Sequence, residues 1–291
     1  VFILSTNTYL HVYHYRRAAN GAWSPATDLG AFGIGFQLLE VDGTVHFFAP
    51  NDDGKLVRRR LWPAGTWTAV ETLPIKAPSD FAVVADAAGR LHFAWLSSSF
   101  DGQLHYRLLD NGRWGPDEVA SPAIDGAPTS LSGWGLTAGG QPQALVVGDP
   151  SAYYLRRTAG GWTKEEMRTR AHYAAARMVV DAGGTPHVSY IDTADNGTYQ
   201  VFYTARDDAG AWTPPQELSQ AAYFGHDGLL AFDSAGNVHA VYTYAASSGV
   251  PGDLAYAGPA PAVDTGEATL SQAVAVPAGM AHPTLSFLYA G

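Results

Sequence analysis

Cysteine is absent from this 291-residue chain, which removes a disulfide framework, a thiolate metal site and a cysteine nucleophile together. Charge is sparse, at 15% of residues, and 17 Lys and Arg stand against 27 Asp and Glu for a formal net charge of −10. That shortage of cations argues against a nucleic-acid partner, because phosphate binding rests on clustered Lys and Arg. It also disfavours adhesion to an anionic membrane surface. No run approaches the roughly 18 apolar residues that span a bilayer, so membrane insertion is not expected. The chain opens on VFILSTN, without an initiating Met or a charged-then-apolar leader, and reads as a mature or trimmed segment. What is present instead is 32 Gly, 18 Pro and 12% aromatics within a 46% hydrophobic total. That mixture suits many short strands joined by tight turns, with enough apolar material for a sizeable core.

Tryptophan follows a glycine-centred turn five times: NGAW to Trp23, AGTW to Trp67, NGRW to Trp114, GGW to Trp162 and AGAW to Trp212. The spacings are 44, 47, 48 and 50 residues. A β-rich repeat of that length predicts a propeller blade. Upstream of most of these tryptophans lies a second landmark, an Asp-Gly turn followed by an apolar run with one histidine. Examples are Asp42 and His46, Asp86 and His92, Asp181 and His187, and Asp233 and His239, with Gln143 in a weaker copy. Gly supplies the positive φ of a tight hairpin, and Asp bonds back to the backbone. A unit therefore reads as strand a, turn, strand b, loop, strand c, G-x-W turn, strand d. The expected fold class is an all-β propeller of six four-stranded blades over 1–263. The blades fall at about 1–30 (partial), 31–77, 78–126, 127–171, 172–220 and 221–263. The tail, 264–291, breaks the pattern; it reads as the start of a second β domain or as strands that close the ring.

The segments HYRRAANGAWSPATDLG, HYRLLDNGRWGPDEVAS and VFYTARDDAGAWTPPQELS resemble the bacterial-neuraminidase-type repeats of the sialidase-like propeller superfamily. The likeness covers about 1–263 and is carried by Asp, Gly and Trp of the turns, with the family's Ser/Thr-x-Asp-x-Gly-x-Thr-Trp spacing kept only loosely. For activity the family implies an arginine triad, a Tyr–Glu nucleophile pair and an Asp acid/base. Its Phe/Tyr-Arg-Ile-Pro motif is missing here. The arginines of this chain (Arg16, Arg17, Arg58, Arg59, Arg60, Arg107, Arg156, Arg157) recur at one place on strand c, which reads as blade structure. Sialidase activity is therefore not expected.

The four strand-b histidines also recur once per blade, so they read as framework in preference to a metal cluster. The G-x-W tryptophans read as wedges between neighbouring sheets. Acidic turns at Asn51, Asp52 and Asp53 and at Asp192, Asp195 and Asn196 offer clustered oxygens to calcium, but neither has a twelve-residue calcium loop, and solvated turns are the favoured reading. No cofactor is expected. Asn196-Gly197-Thr198 fits an N-glycosylation acceptor.

The a–b and c–d turns share one face of a propeller and carry the repeated motifs, so function is sought among the non-repeating loops of the other face. These offer Arg170, His172 and Tyr173, then Tyr223, His226 and Asp227, with Phe100, Asp101 and Trp134 at the rim. Exposed rings beside hydrogen-bonding groups suit a sugar, whose apolar face stacks while its hydroxyls are bonded. The expectation is a non-catalytic extracellular or cell-surface module that binds a glycan, surface polysaccharide or protein partner. In the enzymatic alternative, a polysaccharide lyase or hydrolase, His or Tyr takes the C5 proton and Arg170 neutralises the uronate carboxylate. A purely structural or protein-binding scaffold is the third reading.

Overall fold

A computed structural model describes residues 2–258 apart from 7–9, 18–19, 34, 77, 98–102, 122–129, 149–150, 168–175, 194–198, 208, 219–223, 234 and 246–252. The tail at 264–291 lies outside the described residues. Those described form two compact units, 2–33 and 35–258. Both are built from strands, and no helix occurs among the described residues.

The smaller unit is a three-stranded antiparallel sheet, β1 (Phe2–Thr6), β2 (Leu10–His14) and β3 (Thr27–Phe32).

The larger unit holds five antiparallel sheets in chain order. The first contains β4 (Gln37–Val41), β5 (Thr44–Pro50), β6 (Lys55–Leu61) and β7 (Glu71–Lys76). The second has β8 (Pro78–Ala85), β9 (Leu91–Ser97) and β10 (Leu104–Asp110), with the short β11 (Arg113–Trp114) and β12 (Glu118–Val119) outside. The third comprises β13 (Ser130–Leu136), β14 (Pro142–Val147), β15 (Ala152–Thr158) and β16 (Gly161–Met167). The fourth comprises β17 (Arg177–Val180), β18 (Pro186–Thr193), β19 (Tyr199–Ala205) and β20 (Gln216–Glu217). The fifth has three strands, β21 (Phe224–Phe232), β22 (Val238–Ala245) and β23 (Asp253–Ala257). In the second and fourth sheets Pro116, and Pro214 with Pro215, follow the turn tryptophan and the outermost strand is two residues, whereas WTKEEM lacks proline and pairs in full as β16; β3 runs six residues despite Pro25.

First strands of successive sheets lie side by side, β4 against β8, β8 against β13, β13 against β17 and β17 against β21. Face-to-face packing of neighbouring sheets makes three apolar cores. One joins Phe48, Leu56 and Ile75 to Val83, Phe93 and Trp95. The next joins Leu96, Leu104 and Tyr106 to Val146, Tyr153 and Leu155. The third joins Leu145 and Tyr154 to Met178, Val188 and Tyr190. The second strands β9 and β14 are buried along almost their whole length, carrying His92 and Gln143 among apolar residues. β13 approaches β17 so closely that Gly133 and Gly135 face Met178 and Val180 with no room for a Cβ.

The turn tryptophans and strand-c arginines form a repeated pair. Arg17 lies over Trp23, Arg59 over Trp67, Arg107 over Trp114 and Arg206 over Trp212, with guanidinium-to-ring distances of 5.9, 5.9, 5.2 and 5.1 Å. Trp114 also packs on Phe93 at 4.9 Å, and Trp212 meets Tyr154 edge-on at 5.3 Å, so each fills a junction between sheets.

Candidate functional site

Three sheets share one polar arrangement, buried at His92 and more exposed at His239. His92 Nδ1 lies 3.0 Å from the Tyr106 hydroxyl and its Nε2 3.3 Å from an Asp86 carboxylate oxygen. His187 repeats this with Tyr203 at 2.6 Å and Asp181 at 3.4 Å. His239 does so with Tyr256 at 2.5 Å and Asp233 at 3.3 Å. Strand register explains it: the tyrosine sits on strand c two residues before the partner of the histidine, within diagonal reach on the same face. In the third sheet Gln143 replaces histidine, accepts from the Tyr154 hydroxyl at 2.6 Å and donates to the Gly184 carbonyl of the next sheet. Burial lowers the pKa of His92, which stays neutral among these partners.

The first sheet keeps the histidine and loses both partners. Arg58 stands at the tyrosine position of the register and is turned to Glu71, with Nε and Nη2 donating to its carboxylate at 2.8–3.1 Å. The Asp-x-x-Gly turn has shrunk to the two-residue Asp42-Gly43, with φ of 49° and 73°, a hairpin form that Asp-Gly adopts readily. His46 Nδ1 is left buried without a hydrogen bond, its ring stacked on Phe48. Burial above all, then the charges of Arg58 and Arg60, push its pKa down to about 4, with Glu71 opposing.

A cleft of about 240 Å³ adjoins His46 in this sheet. Leu91 and Leu109 of the second sheet, with Val41, make its apolar floor. Asp42, His46, Arg60 and Asn111 supply polar groups around it. Trp62 closes one side, 44% exposed, with the Arg60 guanidinium 5.3 Å from its ring. Asp42 and Asn111 are the two non-glycine residues with positive φ among those described, each opening an Asx-Gly hairpin turn at the cleft. The volume is below the roughly 300–1,000 Å³ of sites that enclose a drug-sized ligand, and fits one ring or one substituent of a larger molecule.

The opposite ends of the first strands carry a second polar group. Asp80, third residue of β8, accepts from Phe81 N at 2.9 Å and from Leu131 N of the neighbouring sheet at 2.8 Å. Burial raises its pKa, while these two amides and the charge of Arg177 work against the rise. Gln37 does the equivalent one sheet earlier, bonding both the amide and the carbonyl of Val83. Both residues tie sheet to sheet.

Of the residues singled out in sequence, Arg170, His172, Tyr173 and Tyr223 lie outside the described residues, as do Phe100 and Asp101. His226 and Asp227 stand on β21, where the pairing with β22 shifts register between His226 and Leu229. Trp134 is placed on β13, its indole N–H donating to the His92 carbonyl at 3.0 Å and its ring set against Tyr106 and Trp162. It faces the second sheet, and β17 stands between its strand and β21. At the acidic turns, Asn51 accepts from Lys55 N and Asp192 from Thr193 N, while Asp195 and Asn196 lie outside the described residues. No three His, Asp or Glu side chains among the described residues gather at metal-binding range. The His46 cleft was missed because its residues belong to repeated motifs; the signal was VRRRLW where other sheets have a tyrosine.

No protein-family model matches the chain, and no curated protein sequence does at a significant level. Solved structures do. A PL25 ulvan lyase bound to -[GlcA(1-4)Rha3S]- superposes with a TM-score of 0.54 at 11% identity, over 76% of this chain and 69% of that one. The BP39L lectin from Burkholderia pseudomallei gives 0.54 at 17%, over 89% and 79%. The fold is that of a β-propeller. Its structural neighbours are propeller lectins and glycan-active enzymes, and identities this low speak for the fold alone.

Proposed function

We propose that the chain is a non-catalytic glycan-recognition propeller, an extracellular module of a secreted or surface protein, with six blades of the sialidase-like type. The observation that carries the reading is the His46 cleft. An exposed indole, Trp62, stands beside a guanidinium, an imidazole and two Asx side chains over an apolar floor. That combination stacks the apolar face of a pyranose while its hydroxyls are bonded. Asp80, whose pKa burial raises, engages the backbone amides of Phe81 and Leu131 with its two oxygens and reads as a tie between sheets.

A panel of immobilised glycans, neutral and uronate-containing, tests the reading. We expect saturable binding of a defined glycan without its breakdown. Loss of polymer length on incubation would replace recognition with lyase or hydrolase activity; no binding by folded protein would favour a protein-binding scaffold. Arg170, His172, Tyr173, Tyr223, His226 and Asp227 form the competing location. If they hold the sugar, Tyr223→Ala and His226→Ala each abolish binding while Trp62→Ala leaves it intact; the cleft reading expects the reverse.

A further inference from the structure

In three sheets a carboxylate oxygen lies 3.3–3.4 Å from the histidine Nε2, supplied by an Asp six residues before it: Asp86, Asp181 and Asp233. In the first sheet Asp42 precedes His46 by only four positions, and no carboxylate among the described residues bonds the ring. Asp42, His46 and Arg60 all line the cleft. Arg60 reaches Glu71 only at 3.9 Å, because Arg58 holds both oxygens of that carboxylate at closer range. Its charge is therefore the incompletely met one of the pair. A missing acid, a neutral ring edge and an under-neutralised guanidinium thus coincide in one small cleft with an apolar floor.

We propose that this cleft holds the acidic group of a saccharide, a uronate carboxylate or a sulfate ester, in the one sheet whose histidine lacks the turn carboxylate found in three others. The inference rests on the glycan reading above and narrows it to acidic glycans. Arg60 donates to the acid, Trp62 covers the apolar face of its sugar ring, and His46 lines the wall. Asp42, on the rim, opposes the same ligand by like charge.

The test is a calorimetric titration of the folded chain with an oligouronate, a sulfated oligosaccharide on a neutral backbone, and an uncharged oligosaccharide of equal length. We expect one or both acidic probes to bind and the uncharged one to bind weakly; the two acidic arms distinguish carboxylate from sulfate. Arg60→Ala should weaken acidic binding about tenfold or more, the scale of one charge-assisted hydrogen bond. Asp42→Asn keeps an Asx-Gly turn and should tighten it. Near-ultraviolet circular dichroism confirms the fold of each variant. Equal binding of the uncharged probe, untouched by Arg60→Ala, overturns the acidic assignment and leaves glycan recognition standing. Acidic binding that neither variant moves places the ligand elsewhere and overturns the cleft. Failure of all three probes, with no hit on the wider panel, removes the glycan reading itself.

Discussion

His46 is held neutral by burial and by two guanidinium groups, and this has a consequence for acid stability. Its folded pKa, about 4, lies below the ordinary 6.5. Between those values the unfolded chain binds a proton that the folded chain does not, so stability is complete above about pH 6.5 and falls as pH drops towards 4. Burial lowers the pKa of His92 and contributes in the same direction. Replacing His46 with Gln should flatten part of this slope, read as the difference in urea midpoint between about pH 7 and about pH 4.5. An unchanged slope would mean that His46 is hydrated in solution. At this scale the sequence was only half legible. That the histidines are framework could be read from their recurrence. That one of them lacks its tyrosine and its acid was also written in the chain, as Arg58 and a two-residue turn, but a repeated motif draws the eye to its copies and away from its exception.

The strands themselves were legible because turn chemistry and alternation are local: Asp-Gly and Asn-Gly pairs mark hairpins. What locality hides is how one sheet seats on the next. Gln37 bonds Val83, Asp80 bonds Leu131 and Arg157 bonds Glu118, across 46, 51 and 39 residues, with no pattern in sequence to announce them. The β13–β17 approach is of this kind. A methyl on Gly133 would collide with the Met178 Cβ and carbonyl, so Gly133→Ala should cost about 1–3 kcal/mol as sheets are forced apart. Gly139, in an open turn without positive φ, is the control: Gly139→Ala should stay within about 0.5 kcal/mol by denaturant unfolding.

Over the whole molecule the charge of −10 sets a field that opposes the ligand proposed for the cleft. Long-range repulsion is screened beyond a Debye length of roughly 10 Å at 0.1 M salt, whereas contact with Arg60 is not. Association with an acidic oligosaccharide should therefore speed up as salt is raised from about 10 mM to about 100 mM, the opposite of a basic binder. Stopped-flow rates that fall over that range would point to a positive patch not yet identified. Repetition has a further effect on what such a molecule tolerates. Three sheets hold the same aspartate, histidine and tyrosine contact, so the loss of one set removes a fraction of the scaffold's support and none of its architecture. Redundancy of this sort gives a duplicated fold room to specialise: one copy is released from holding the protein together and becomes available to hold something else.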